Sequence, residues 1–178
     1  MTNTLAFNII QFFPSLNHWL LLFILKKAEC YFKVIQFFSN YLVGRKMQYS
    51  WNNFSSQFFN VDIGVEQDLS LSPILSTVYI IPIFHILENQ CKNLKIPVSI
   101  LFFVDDSLFI PQSKSLTISN SILFCSYNII SSILDKLRLA LKHGKIEVFH
   151  FSKAQCIFNP PSLNLTDISG PILKPKNI

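Results

Sequence analysis

The chain has 178 residues, enough for one domain with a real hydrophobic core. Half of the residues are hydrophobic and only 14% are charged, but the long uncharged stretches 69–87 and 115–134 are interrupted by Pro and His or are rich in Ser, Thr and Asn. Neither stretch is a run of about 20 predominantly apolar residues, which argues against a membrane-spanning helix. The net charge of +5 suits a polyanionic partner.

The start of the chain and its cysteines favour an intracellular protein, nuclear or cytoplasmic. The first residues, MTNTLAFNIIQFFPS, lack the basic region and the cleavage pattern of a signal peptide. The cysteines lie far apart, with no CxxC pair and no His at zinc spacing: Cys30, Cys91, Cys125 and Cys156. They are interpreted as buried free thiols in a reducing compartment.

The first half of the chain predicts a strand, two helices and a hairpin. The apolar run Leu5–Ile10 predicts the strand, and Ser15 can cap a helix through LNHWLLLFILKKA. A second helix is predicted over Tyr31–Leu42. The segment MQYSWNNFSSQFFNVDIGV alternates polar and aromatic residues around Asn52 and Asn53, a pattern typical of a β-hairpin.

The second half predicts two long helices and a strand. Ser72 as N-cap and a proline in the first turn open the helix SPILSTVYIIPIFHILENQ, which should kink at Pro82. A further helix is predicted from about Ser119 to Lys142, with an apolar stripe at helical spacing: Ile129, Ile133, Leu137 and Leu141. KIEVFHF predicts a strand, CIF is a further candidate, and residues 159–178 predict an irregular tail.

Two adjacent carboxylates interrupt an apolar, β-prone run. In VSILFFVDDSLFIPQ, residues 98–112, short strands flank Asp105 and Asp106, so the pair is expected at the tip of a hairpin. A polar turn is one interpretation, since Asp-Asp-Ser is good turn chemistry. A shared cation is the other, because a buried carboxylate without a partner is costly.

The order of predicted elements favours an α+β fold. Strand, helix, helix, hairpin, helix, hairpin, helix and strand match a split βαββαβ layer of the ferredoxin or RRM type. Such a layer is an antiparallel sheet with helices packed on one face. Its open face beside paired acids suits nucleic acid.

Four segments in order resemble reverse transcriptases. FVDD at Phe103–Asp106 resembles the [YF]-x-D-D box, and LAFNIIQFFPSLNH resembles the strand and turn that carry the first catalytic aspartate of the family. GVEQDLSLSPILSTVYI resembles the G-x-x-QG-x-x-LSP segment, and LALKHGKIEVFHFS resembles the helix-to-strand segment after the box. The likeness is strongest to the enzymes of non-LTR (LINE-like) retrotransposons. It implies a polymerase palm over residues 1–158, followed by the tail 159–178.

The resemblance also implies a chemistry and a set of partners. Reverse transcriptases use two Mg²⁺ ions, as palm polymerases do, together with an RNA template, a DNA primer and dNTPs but no other small-molecule cofactor, and these ions prefer carboxylate oxygens. Asp105 is expected to bind metal, with Asp106 supporting the metal or the primer end. The third carboxylate belongs at position 8, where this chain has Asn8, a neutral and poorer ligand.

Other departures point to impaired or absent catalysis. Asp68 stands where the family has Gly, and Glu66 adds a second negative charge, so both changes repel phosphates. The fingers before the first strand and the thumb after the tail are expected to be missing. The resemblance therefore implies a palm fragment rather than a working polymerase.

Six further residues are assigned a functional role by resemblance or by charge, and each also has a purely structural interpretation. Phe13 falls at the aromatic position that excludes a ribose 2′-hydroxyl, or is a core aromatic. Gln67 would touch nucleotide or template, or is a polar loop residue. Lys145 could assist near the pyrophosphate, or is a solvated lysine at a strand start. Three basic residues predicted on one helix could meet a phosphate backbone, or form a solvated face: Lys136, Arg138 and Lys142.

Two alternatives to a decayed polymerase remain open. The chain could be a nucleic-acid-binding module without chemistry, using the open sheet and the scattered lysines. The apolar composition also leaves a small membrane-associated protein as a third hypothesis.

Overall fold

In a computed structural model of the chain, the structure describes residues 2–67, 69–151, 162–165, 172–173 and 176–177. The helices are α1 (Phe12–Ser15), α2 (His18–Lys27), α3 (Phe32–Leu42), α4 (Ser72–Asn93), α5 (Leu116–Lys136) and a 3-10 helix, His143–Lys145. The strands are β1 (Thr2–Asn8), β2 (Lys46–Met47), β3 (Ser50–Trp51), β4 (Phe54–Ser55), β5 (Phe59–Asn60), β6 (Val98–Phe103), β7 (Asp106–Pro111), β8 (Glu147–Phe151), β9 (Leu163–Asn164), β10 (Ile172–Leu173) and β11 (Lys176–Asn177).

The chain divides into two compact units. The first, which we call the sheet unit, comprises Met1–Ile10 and Ile83–Ile178, and the second, the hairpin unit, comprises Gln11–Pro82. The single palm-like domain over residues 1–158 stays a prediction.

The sheet unit is built on a five-stranded sheet in the order β11-β8-β1-β7-β6. Neighbouring strands in the series β8, β1, β7 and β6 are antiparallel, and β11 pairs in parallel with β8. Because side chains alternate along a strand, Leu5, Phe7 and Phe109 share one face and are buried there. The rings of Phe7 and Phe109 meet edge to face with centroids 4.9 Å apart.

Helix α5 covers this buried face, since it packs against β1, β6 and β7. The helix is long and apolar enough by composition to cross a membrane, the one such helix in the described part of the chain. Its apolar residues Ile122, Leu123 and Ile130 are instead buried in the core of the sheet unit. The opposite sheet face exposes Leu101 and Phe103. The predicted α+β fold is confirmed.

The predicted end of α5 is wrong. The helix ends at Lys136 rather than at Lys142, because Arg138 takes a positive φ of 56° and reverses the chain. Leu141 then forms a bridge to Ile9 instead of a further turn of helix. The predicted stripe is confirmed at Ile133 alone among its members within α5, since Leu137 and Leu141 lie beyond the helix and Ile129 is half-buried. The buried helix face runs through Ile130, Ile133 and Leu134.

The helix starts were predicted less well than the helices themselves. Helix α2 is capped by Asn17, whose side chain accepts a hydrogen bond from the Leu20 N–H at 2.9 Å, because Ser15 belongs to the short helix α1. Ser72 is the first residue of helix α4 rather than its predicted N-cap, and its hydroxyl donates to the Glu66 carbonyl. Pro82 lies inside α4, and the kink there stays a prediction.

The predicted hairpin of the hairpin unit is confirmed. Its two arms pair in two short ladders, β2 with β5 and β3 with β4, and turn at Asn52 and Asn53. Asn52 takes the left-handed conformation, with φ 52°, which asparagine tolerates better than most residues.

The predicted irregular tail is wrong for the residues that the structure describes. Strands β9 and β10 pair with each other, and β11 extends the main sheet. The candidate strand CIF, residues 156–158, lies outside the described residues. The buried thiols predicted from spacing hold for Cys91 only, since Cys30 is half-buried and Cys125 is exposed, and Cys156 is outside the described residues.

Candidate active site

The open end of the β1–β7 pair brings position 8 to the acidic couplet. Asn8 is the last residue of β1 and Asp106 the first of β7, and the antiparallel register places them directly opposite each other. The Asn8 Nδ2 group donates a hydrogen bond to Asp106 Oδ1. The amide therefore occupies one carboxylate oxygen of the couplet.

Asp105 lies in the tight turn between β6 and β7. Phe103 pairs with Asp106, so only Val104 and Asp105 separate the two strands. Val104 takes a positive φ of 58°, which is costly for a β-branched residue. The Asp105 carbonyl accepts from the Ile9 N–H at 3.0 Å, which ties the turn to the end of β1. The predicted hairpin tip thus holds Asp105, while Asp106 already belongs to the strand.

The site opens onto the uncovered face of the sheet. A shallow depression of about 340 Å³ lies there, with Asp106 and Asn8 in its lining. Leu101 and Phe103 also line it and are 56% and 78% exposed. Sequence reasoning missed these two residues, although period-two alternation in β6 places them on the same face as Asp106.

The site offers hard oxygen ligands, but few of them. Asp105 and Asp106 each supply a carboxylate, and Asn8 supplies one amide oxygen. Across the described ranges, no group of three His, Cys, Asp or Glu side chains could hold a metal ion. The donor types fit Mg²⁺, whereas the charge is lower than three carboxylates would give.

The basic residues do not share one helix as predicted, because α5 ends early. Lys136 is the last residue of α5, Arg138 lies in the reversal after it, and Lys142 precedes the 3-10 helix. The Lys142 backbone N–H donates to the Asn8 carbonyl at 2.8 Å. This hydrogen bond connects Lys142 directly to the end of β1. Lys145 ends the 3-10 helix and is exposed, two residues before β8.

Phe13 and Gln67 belong to the hairpin unit. Phe13 lies in α1, half-buried, and its carbonyl accepts from the Val65 N–H at 2.9 Å. Gln67 is exposed beside Glu66. Glu66 forms a 2.5 Å ion pair with Arg45, so its expected repulsion of phosphates is partly neutralised. Asp68 lies outside the described residues.

Comparisons with known proteins find similarity in structure only. No protein-family model matches the sequence, and no curated protein matches it either. An apo telomerase of Candida tropicalis, truncated from its C-terminal domain, is similar with a TM-score of 0.66 and 15% identity, over 91% of this chain and 32% of that one. A telomerase of Candida albicans, solved with a TWJ fragment of telomeric RNA, is similar with a TM-score of 0.56 and 15% identity, over 93% of this chain and 30% of that one.

Telomerase is a reverse-transcriptase-type catalytic subunit, and the similarity shows that this chain has a reverse-transcriptase-like fold. It spans about a third of the length of the telomerases it matches.

Proposed function

We propose that this chain is the palm segment of a non-LTR retrotransposon reverse transcriptase whose nucleotidyl-transfer site is impaired. The observation that carries the proposal is the pairing of Asn8 with Asp106 at adjacent strand ends. The polymerase-like fold and the FVDD turn support the location of the site, and the neutral amide supports the impairment.

The chemistry of such a site depends on charge. Mg²⁺, when bound, would activate a primer 3′-hydroxyl and stabilise the leaving pyrophosphate. Asp105 and Asp106 would hold it, and Asn8 could contribute its Oδ1 only by rotating its amide and giving up the bond to Asp106. The site would then have one negative charge fewer than a site with three carboxylates.

The substrates that we propose are an RNA template, a DNA primer and dNTPs, handled inside the cell. The net charge of +5 supports a polyanionic ligand. Lys142, whose backbone N–H donates to the Asn8 carbonyl, supplies a cation for such a ligand. In this proposal, Phe13 and Gln67 contact nucleotide or template, and Lys145 assists near the pyrophosphate. Lys136 and Arg138 contact the nucleic-acid backbone.

Primer extension tests the impairment. The chain is incubated with a primed RNA template, Mg²⁺ and dNTPs, beside an active reverse transcriptase as the positive control. We expect no extension by the unmodified chain. Extension that disappears in the Asp105→Asn variant would overturn the proposal, because it would show a working site that depends on the couplet.

The retrotransposon origin is tested by the flanking genomic sequence. If the proposal is right, the reading frame around the gene, or its decayed remnant, continues into the other segments of a non-LTR reverse transcriptase. Flanks that encode unrelated proteins would contradict this origin and leave the polymerase fold in place.

A second candidate is a nucleic-acid-binding module without chemistry. The observation that favours it is the exposed pair Leu101 and Phe103 on the same sheet face as the occupied Asp106 carboxylate. Such a surface can bind bases without catalysis. Filter binding at increasing salt tests it, since phosphate contacts make affinity fall with salt, and a flat response excludes them.

A further inference from the structure

The hairpin of residues 46–60 exposes an unusual number of aromatic side chains. Tyr49, Trp51, Phe54 and Phe58 are 66–78% exposed, and Phe59 is 38% exposed. Exposed large apolar side chains are normal when they are scattered, but contiguous ones mark interaction sites. The exposed rings of this hairpin therefore point to an interaction surface.

Most of these rings lie on one face of the two-stranded ribbon. Trp51 pairs with Phe54 and Met47 with Phe59, and Tyr49 lies between Met47 and Trp51 with the same alternation. The rings of Tyr49 and Phe59 stack with centroids 5.2 Å apart. We call this surface the aromatic face, with members Met47, Tyr49, Trp51, Phe54 and Phe59.

Polar side chains of the ribbon outside the aromatic face are already engaged in hydrogen bonds. The Gln48 side-chain amide donates to the Ser56 carbonyl at 2.8 Å, and the hydroxyls of Ser50 and Ser55 lie 3.2 Å apart. These contacts hold the ribbon together without using the aromatic face. The hydrogen bonds that stabilise the ribbon therefore leave the aromatic rings free of such contacts.

The charge and composition of the ribbon favour nucleic acid as the occupant. Residues 45–61 contain Arg45 and Lys46 and no acidic residue. Arg45 is paired with Glu66, and Lys46, the neighbour of Met47 in β2, is the other cation of this segment. The face is aromatic rather than aliphatic, with Met47 as its single aliphatic member, and flat rings match nucleobases better than acyl chains.

We propose that the aromatic face binds single-stranded nucleic acid by stacking bases on Trp51 and its neighbours. The proposal rests on the proposed function in one respect, since both require the chain to bind nucleic acid. It adds a binding surface in the hairpin unit, with stacking as the main contribution and Lys46 as the phosphate contact. In this proposal the amides of Asn52 and Asn53, in the turn between Trp51 and Phe54, hydrogen-bond to base edges.

The two tryptophans of the chain allow a direct test. Trp19 in α2 is 76% exposed and Trp51 is 78% exposed, so they are matched in exposure. In the Trp19→Phe variant, Trp51 is the remaining tryptophan, and we expect its fluorescence to be quenched by single-stranded oligonucleotides. RNA and DNA oligonucleotides of the same length are titrated separately, with lipid vesicles as a third arm.

Affinity measurements on the full chain complete the test. We expect Trp51→Ala to weaken oligonucleotide binding about 10-fold, as for the loss of one stacked base. Trp51→Phe should recover most of the affinity, and Trp19→Ala should leave it unchanged. Lys46→Gln should flatten the slope of log affinity against log salt by about 0.7, whereas Trp51→Ala should not change the slope.

Each outcome decides the matter. Quenching together with selective loss in Trp51→Ala supports the aromatic face, with either RNA or DNA. Binding that is equal in the wild type and in Trp51→Ala, without quenching, overturns the aromatic face and leaves the proposed function standing. No binding by the unmodified chain overturns both, and a response of Trp51 to vesicles alone shows that the face is a membrane contact instead.

Discussion

The side-chain amide of Asn8 donates a hydrogen bond to Oδ1 of Asp106 across the β1–β7 pair. A carboxylate at position 8 could not make this bond, because both groups would be acceptors of the same charge. The neutral residue thus forms an internal contact that holds two strand ends together.

Asn8→Asp should make the stability of the sheet unit depend on divalent cations. Without metal, the variant loses the hydrogen bond and places two carboxylates directly opposite each other, which together cost about 1–2 kcal/mol. The melting temperature should fall by about 4 °C in EDTA. Millimolar Mg²⁺ should restore it, because three oxygen ligands then share a cation. Thermal unfolding followed by circular dichroism measures both effects.

The Asn8→Ala variant is the control for that experiment. It loses the same hydrogen bond but gains no carboxylate, so its melting temperature should fall without any recovery in Mg²⁺. An equal response of the two variants to Mg²⁺ would show that the cation acts elsewhere.

The convergence of Asn8 with the couplet could be predicted from the sequence, while the details of the contact could not. Two short β-prone runs around Asp105 and Asp106 predict a hairpin, and a resemblance to a strand motif places Asn8 beside it. The direction of the Asn8 amide depends on its neighbour across the sheet. The assignment of Asp105 to the turn and Asp106 to the strand depends on register, which local pattern does not fix.

Val104→Asn should stabilise the protein. Val104 has φ 58°, and a β-branched side chain in this region costs about 1–2 kcal/mol, whereas asparagine tolerates it. The melting temperature should rise by about 2–4 °C. The control is Val98→Asn within β6, where the β-branched side chain suits the strand and the same change should destabilise. A loss of stability in Val104→Asn as large as in the control would refute the strain at the turn.

Gly64→Ala should destabilise the hairpin unit. Gly64 has φ 86°, and an added Cβ would lie 2.7 Å from the Pro14 carbonyl oxygen, which is backbone and cannot move aside cheaply. Strain and overlap together should cost about 2–4 kcal/mol. Urea unfolding measures the loss.

Gly144→Ala is the matched control, because its φ is not in the left-handed region and an added Cβ there would meet nothing within 4 Å. It should change stability by less than about 0.5 kcal/mol. Similar losses in both variants would mean that the Gly64 backbone relaxes freely.

The end of α5 shows that tertiary contacts, rather than the local sequence, set some helix boundaries. Apolar residues continue at helical spacing past Lys136, through Leu137 and Leu141, and no proline or glycine interrupts them before Gly144. Periodicity alone therefore predicts a longer helix. The chain instead reverses at Arg138, which buries Leu139 and pairs Leu141 with Ile9, and these contacts are not visible in the local sequence.

Acid should destabilise the sheet unit through His150. Burial lowers the pKa of His150 below its ordinary value of about 6.5, and its Nδ1 lies 2.8 Å from Asn3 Oδ1. The unfolded chain therefore binds a proton at a higher pH than the folded chain. The stabilising contribution is fully present above about pH 6.5 and is lost as the pH falls below it towards the folded pKa. Melting temperatures measured between neutral pH and pH 5 should decline accordingly.

The His150→Asn variant separates this titration from general acid sensitivity. Its amide can replace Nδ1 as the hydrogen-bond donor to Asn3 but cannot take up a proton, so the decline below about pH 6.5 should become shallower. His85→Asn, at an exposed position of α4, should leave the decline as it is in the wild type. If His150→Asn and the wild type lose stability in parallel, the acid response belongs to other groups, and the buried histidine has no part in it.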